Sequence, residues 1–171
     1  MAVYCPMVCH KIGTCFALDF SEARRKSLSV SDSVYRHPYR VIYADCTVGN
    51  HVYYARYLDM LEAARGEFFR HLGASLLVLQ EAGTIFPVIG VEVSYQGMAR
   101  YDDALTIELR ITALGGVRLN FGFRVLNAAG TLLAEGETRH VCAGLDEKPR
   151  RIPKELAEKL QSYLIAPKNA A

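Results

Sequence analysis

Between residues 104 and 113 the chain alternates without interruption. Leu105, Ile107, Leu109 and Ile111 fall on one side, and Thr106, Glu108, Arg110 and Thr112 on the other. A period of two belongs to a strand with one face in a core. Gly115 and Gly116 then suit a tight hairpin, and Leu119, Phe121, Phe123 and Val125 make the apolar face of a returning strand. Such a hairpin commits the chain to an antiparallel sheet covered on one face. Three more stretches fit the same sheet. Residues 39–46 set Tyr39, Val41 and Tyr43 against Arg40 and Ala44. Residues 86–95 align Ile89, Val91, Val93 and Tyr95. Residues 131–142 place Leu132, Ala134, Gly136, Thr138 and His140 on a face of smaller side chains.

The cover comes from residues 51–72, where the period becomes helical. Tyr54, Tyr57, Leu58, Leu61, Ala64, Phe68 and Leu72 recur mostly at spacings of three and four. Asn50 is a fair N-cap and Gly73 is placed to end the helix. Its apolar stripe is wide, which predicts burial on most sides. A second helix is expected from Pro153, with Leu156, Leu160, Tyr163 and Leu164 as its apolar stripe. The order strand, long helix, four strands, short helix predicts an α+β fold. In it a curled antiparallel sheet wraps one long central helix.

The chain has 171 residues, 51% hydrophobic and 22% charged, with a formal net charge of +2. That is the balance of a globular domain and too mild a charge to argue for nucleic acid. No apolar run is long enough to span a bilayer. Lys11 interrupts the N-terminal apolar stretch, so a signal peptide is not expected and a cytoplasmic location is. Residues 1–37 read as an extension with a short helix near residues 21–26, residues 38–166 as the domain, and residues 167–171 as a tail. The five cysteines are odd in number and irregularly spaced, which is no disulfide framework. Cys5, Cys9, His10 and Cys15 lack the C-x-x-C clip of structural zinc sites. No flavin, nucleotide or P-loop pattern occurs, so neither metal nor cofactor is expected.

Residues 43–57 read YADCTVGNHVYYARY, followed by LDMLEAARGEFFRHLG. This opening resembles that of the 4-hydroxybenzoyl-CoA thioesterase family and its acyl-CoA thioesterase relatives. VEVSYQGMARYDDALTIELRI and GETRHVCAGLDEKPRRIP resemble the family's later strands and C-terminal approach. The resemblance spans roughly residues 38–165. It implies the hotdog fold, an acyl-CoA substrate, and self-association as dimer or tetramer with active sites between subunits. One position departs. The family's catalytic carboxylate is the second Asp of an Asp-x-Asp, and Thr47 stands there; Asp45 occupies the first. His51 stands where the similar acyl carrier protein thioesterases carry a His, but their partner Asn is matched by Gly49.

Hydrolysis of a thioester needs donors for the developing oxyanion and a base or nucleophile. The start of the long helix, at His51, Val52 and Tyr53, offers backbone N–H groups. A neutral Thr47 hydroxyl cannot replace a carboxylate as base, though it can hold a water or the substrate carbonyl. The candidate bases are Asp45, otherwise a turn carboxylate, and His51, otherwise a capping histidine. Glu62, on the helix, is either a structural hydrogen-bonding group or a second-choice base. Tyr53, Tyr54 and Tyr57 are candidates to line an acyl pocket, Tyr54 foremost, and are otherwise plain core residues of the helix. Lys148, Arg150 and Arg151 are either a phosphate-binding cluster or a solvated surface run. His140 and Cys142 read as packing residues. The leading expectation is an acyl-CoA thioesterase. The alternative is a hotdog protein that binds thioesters without hydrolysing them, and hydration of an enoyl thioester ranks last.

Overall fold

The structure, a computed structural model, describes residues 33–165. The expected extension up to residue 32, with its cysteines and short helix, and the tail at 167–171 lie outside the described residues. β1 (Tyr35–Arg40), β2 (Val88–Tyr95), β3 (Ala104–Gly115), β4 (Arg118–Asn127) and β5 (Leu132–Val141) form one antiparallel sheet in the order β1-β3-β4-β5-β2. The hairpin read from residues 104–125 is its centre, with Leu105, Ile107, Leu109, Ile111, Leu119, Phe121, Phe123 and Val125 all buried. α1 (Arg56–His71) lies on that face, α2 (Leu76–Glu81) follows it, and α3 (Lys154–Gln161) closes the chain near β3.

Three details differ from the sequence expectation. β1 begins at Tyr35 and ends at Arg40, so residues 35–37 belong to the sheet. Residues 43–45 then form a single turn of 3-10 helix instead of continuing the strand. α1 has 16 residues and starts at Arg56, five positions later than expected. It buries one face, Tyr57, Met60, Leu61, Ala64, Arg65, Phe68 and Phe69, while Tyr54 and Leu58 stay exposed. It is therefore amphipathic, and the sheet covers one side of it. Third, Ser75 caps a short α2 by accepting a hydrogen bond from the Val78 N–H.

β2 is one of the two edges of the sheet, and most of it is exposed. Ile89 and Val91, aligned with Val93 and Tyr95 in the sequence, are 65% and 42% accessible. Among the described residues this eight-residue strand pairs on one side only, with β5, and an edge with apolar side chains is a template for pairing with another strand. Among the described residues no helix is long and apolar enough to cross a membrane.

Candidate active site

The segment between β1 and α1 carries the residues singled out by the sequence. Cys46 and Val52 bridge antiparallel, and the chain reverses between them through Gly49 (φ 113°) and Asn50 (φ 55°). These left-handed positions suit Gly and Asn. The reversal brings Thr47 and His51 face to face, with Thr47 Oγ1 3.1 Å from His51 Nε2 and 3.5 Å from Nδ1. Near-equal distances put the hydroxyl across both ring nitrogens, not in line with the lone pair of either. The ring thus keeps capacity for a water. The Thr47 N–H donates to the His51 carbonyl oxygen at 2.9 Å, which holds the pair together.

Asn50 is not the helix cap. Its side-chain oxygen accepts from the N–H of Tyr101, in the connection between β2 and β3, at 3.2 Å. Nor do the expected N–H groups at Val52 and Tyr53 remain free. They donate to the Ala99 and Asp45 carbonyl oxygens, both at 2.9 Å. Of the three expected donors, the His51 N–H alone has no acceptor among the described residues, and two further unbonded donors lie at the helix start itself. Among the described residues, the N–H groups of Tyr54 and Ala55 have no acceptor, and α1 follows directly.

Asp45 is buried, 7% accessible. Its Oδ2 accepts from the Tyr39 hydroxyl and from the Ile42 N–H, both at 2.9 Å, closing the 3-10 turn. Burial and this hydrogen bond push the Tyr39 hydroxyl up to about 12, so it remains a donor to the carboxylate.

Thr47, His51, Val52, Tyr53, Tyr54, Tyr57, Tyr95, Gly97 and Met98 line one cavity of about 520 Å³. Val52 belongs equally to the core, while Tyr53 and Tyr54 are exposed with ring centroids 4.5 Å apart. Tyr57, a candidate from the sequence, lines it too, whereas Tyr95, Gly97 and Met98 were not anticipated there. The Tyr57 hydroxyl accepts the Ala99 N–H at 3.3 Å, and the Tyr95 hydroxyl donates to the Tyr54 carbonyl oxygen at 2.8 Å. Burial raises both hydroxyls above the usual tyrosine range, so the wall is uncharged.

The structure does not bring the remaining candidates to this cavity. Glu62 is eight residues along from Tyr54, about 12 Å at the helical rise. It is exposed and paired with Arg65, beside a separate cavity of about 250 Å³ lined also by Leu76, Gln80 and Thr84. Lys148, Arg150 and Arg151 are exposed on the loop after β5. Arg150 donates to the Gly83 carbonyl oxygen at 2.8 Å, and Ile85 bridges Ala143. That loop is therefore at the Val88 end of β2, while the tyrosine cavity is at the Tyr95 end. Seven strand steps separate them, about 23 Å.

A curled antiparallel sheet with its helix on one face, and a polar turn aimed at the helix start, define a hotdog domain. The profile of the Thioesterase-like superfamily matches residues 41–160, and the chain belongs to that family. It is 39% identical over 128 residues to the acyl-CoA thioester hydrolase YbgC of Escherichia coli O6:H1, covering 74% of this chain and 96% of that protein. It is 31% identical over 128 residues to the 1,4-dihydroxy-2-naphthoyl-CoA hydrolase of Synechococcus elongatus, covering 73% and 91%. Among solved structures, a probable thioesterase from Bartonella henselae superposes with a TM-score of 0.67 at 31% identity, covering 70% of this chain and 99% of the other.

Proposed function

We propose that this protein hydrolyses acyl-coenzyme A thioesters to the free acid and coenzyme A. One observation carries the reading: Thr47, His51 and the unbonded helix-start residue Tyr54 line a single tyrosine-walled cavity. The acyl group lies among Tyr53, Tyr54, Tyr57 and Tyr95. The thioester carbonyl oxygen faces the N–H groups of Tyr54 and Ala55, which stabilise it as it becomes an oxyanion. His51 takes a proton from a water held with the Thr47 hydroxyl. The water oxygen bonds to the carbonyl carbon, the C–S bond breaks, and the thiolate recovers the proton from the imidazolium. Thr47 thus orients the water that a carboxylate would otherwise activate. Asp45, with Oδ2 already accepting two hydrogen bonds, is assigned to framing the turn. The hydrolase names of the relatives support the reaction and the coenzyme A substrate.

We also propose that two copies associate through their β2 edges. Antiparallel pairing about a two-fold axis would set the Val88 end of one strand beside the Tyr95 end of the other. The basic loop of one copy would then approach the tyrosine cavity of its neighbour.

The test is thiol release from short, long and aromatic acyl-CoAs by wild type, His51→Ala and Asp45→Asn. Turnover that disappears in His51→Ala and persists in Asp45→Asn is expected. No turnover on any substrate would sink the hydrolase reading in favour of a non-hydrolytic thioester-binding protein.

A further inference from the structure

A second cavity, of about 600 Å³, lies against the same turn. It is lined by Tyr43, Cys46, Thr47, Val48, Gly49, Asn50 and Tyr101. Thr47 is common to both cavities, so a carbonyl carbon held at Thr47 has one cavity toward residues 52–57 and one toward residues 43–50 and Tyr101. A thioester has two arms to place. We propose that the second cavity is the subsite for the pantetheine-like thiol arm, with Tyr43 and Tyr101 as its clamp and Arg100 as the cation beyond it. This rests on the thioester reading of the Thr47–His51 site.

The two cavities differ in the way the two arms differ. The tyrosine cavity spends its phenol hydroxyls on Ala99 and Tyr54, leaving an apolar wall for an alkyl or aryl acyl group. The second cavity is walled by turn backbone. Among the described residues the N–H groups of Val48 and Gly49 have no acceptor. A thiol arm alternates amide groups with methylenes and a branched carbon, so it needs polar backbone and aromatic faces together. Tyr43 and Tyr101 supply the faces, with rings edge to face at 5.9 Å. Tyr43 is 81% accessible and Val48 fully so, exposure that packing among the described residues does not explain.

Charge points the same way. Arg100 donates to the Asn50 carbonyl oxygen at 3.2 Å and has no ion pair among the described residues. The two nearby acids are occupied: Asp102 pairs with Arg40, and Asp103 accepts the Arg100 N–H. Among the described residues Arg100 is thus a cation without an ion pair at the edge of this cavity, available to a phosphate at the end of the arm.

The test is calorimetric titration of the full chain with coenzyme A and with pantetheine, neither of which requires turnover. Wild type is compared with Tyr43→Ala, Tyr101→Ala, Arg100→Ala and the pair Lys148→Ala with Arg150→Ala. Thermal unfolding of each checks folding, which is expected to be intact because these side chains are exposed. Each tyrosine variant should weaken coenzyme A and pantetheine alike, by about tenfold, or about 1.4 kcal/mol. Arg100→Ala should weaken coenzyme A alone. In turnover, the tyrosine variants should raise KM for acyl-CoA at nearly constant kcat, and raise KM for the short S-acyl-N-acetylcysteamine thioester less, because it keeps only the thiol-proximal amide of the arm. Binding by the tyrosine variants equal to wild type overturns the subsite. So does a wild type that binds neither ligand, or a penalty that follows acyl length, or a phosphate contribution carried wholly by Lys148 and Arg150. Tyrosine-dependent coenzyme A binding without thiol release would fail the hydrolase reading and keep the subsite.

Discussion

Two histidines with polar partners sit in contrasting surroundings. His51 is half-buried, touches the Thr47 hydroxyl, and opens onto the tyrosine cavity. His140 is wholly buried on β5. Its Nδ1 faces the Phe86 carbonyl oxygen at 3.3 Å, while Nε2 faces the Thr138 hydroxyl at 2.9 Å and the Arg65 guanidinium at 3.5 Å. Burial, aided by the Arg65 charge, pushes His140 down to about 4 against the opposing pull of the Phe86 carbonyl. It is therefore neutral at physiological pH, donating from Nδ1 and accepting at Nε2. A fully partnered imidazole out of reach of water joins α1 to the sheet. An imidazole with spare capacity beside a cavity can move a proton. The difference is one of partners and solvent, not of residue type.

The largest effect should come from breaking the exposed member of the pair. His51→Ala is expected to lower kcat by about 10²- to 10⁴-fold, the range typical of a positioned acid–base group. Urea unfolding should stay close to wild type, because the ring is only half-buried. A kcat within threefold of wild type would remove His51 from the chemistry.

The buried member should show the reverse. His140→Leu removes the acceptor at Arg65 and Thr138 and leaves a buried cation with Glu62 as its ion-pair partner. A loss of about 2–4 kcal/mol in unfolding free energy is expected, with kcat of the folded fraction preserved. The pH dependence has a definite sign. The unfolded chain takes up the His140 proton near 6.5 and the folded one only near 4. Between those values the unfolded state binds more protons, so stability falls as pH falls through that window, by roughly 3 kcal/mol. Above 6.5 this contribution is flat. Denaturation midpoints from pH 7.5 to 4 should show the slope in wild type and a shallower one in His140→Leu.

The contrast also shows what the sequence could reveal. The β3–β4 hairpin was legible because alternation is local, and the burial of His140 followed from its place on β5. Arg65 was not visible as its neighbour, since the contact joins residues 75 apart. The start of α1 was misread for a related reason. The tyrosines at 53, 54 and 57 have helical spacing, yet the Val52 N–H is taken by Ala99, which arrives from beyond β2. α2 escaped because six residues hold too little period to register. Asp45 and His51 were both visible as candidates in the turn. Only the three-dimensional partners separate a satisfied carboxylate from a half-open imidazole. The basic cluster was visible as composition, but its position at the other end of β2 is set by the Arg150 contact with Gly83.

A smaller effect tests that separation within one turn. Asp45→Ala should cost about 1–2 kcal/mol of stability through the lost Tyr39 and Ile42 hydrogen bonds, with kcat changed by less than about threefold. Ultraviolet titration should show the Tyr39 hydroxyl falling from about 12, since the carboxylate that helps raise it is gone. A kcat loss as large as that of His51→Ala would move Asp45 from the frame into the chemistry.

The smallest effect concerns the bond between the sheet edge and the helix start. The Tyr95 hydroxyl donates to the Tyr54 carbonyl oxygen at 2.8 Å. That carbonyl shares a rigid trans peptide plane with the Ala55 N–H, which therefore points the opposite way. Tyr95 thus orients one of the two donors assigned to the oxyanion without touching substrate through that hydroxyl. Tyr95→Phe keeps the ring in the cavity and removes only the tether. The expected loss is about 0.5–1.5 kcal/mol in stability. A part of it should appear as a kcat reduction of about three- to tenfold with KM nearly constant, since a donor that wanders weakens transition-state binding more than ground-state binding. A rise in KM at unchanged kcat would instead make Tyr95 a wall of the acyl pocket and nothing more, and would shift the orienting of Ala55 to the helix itself.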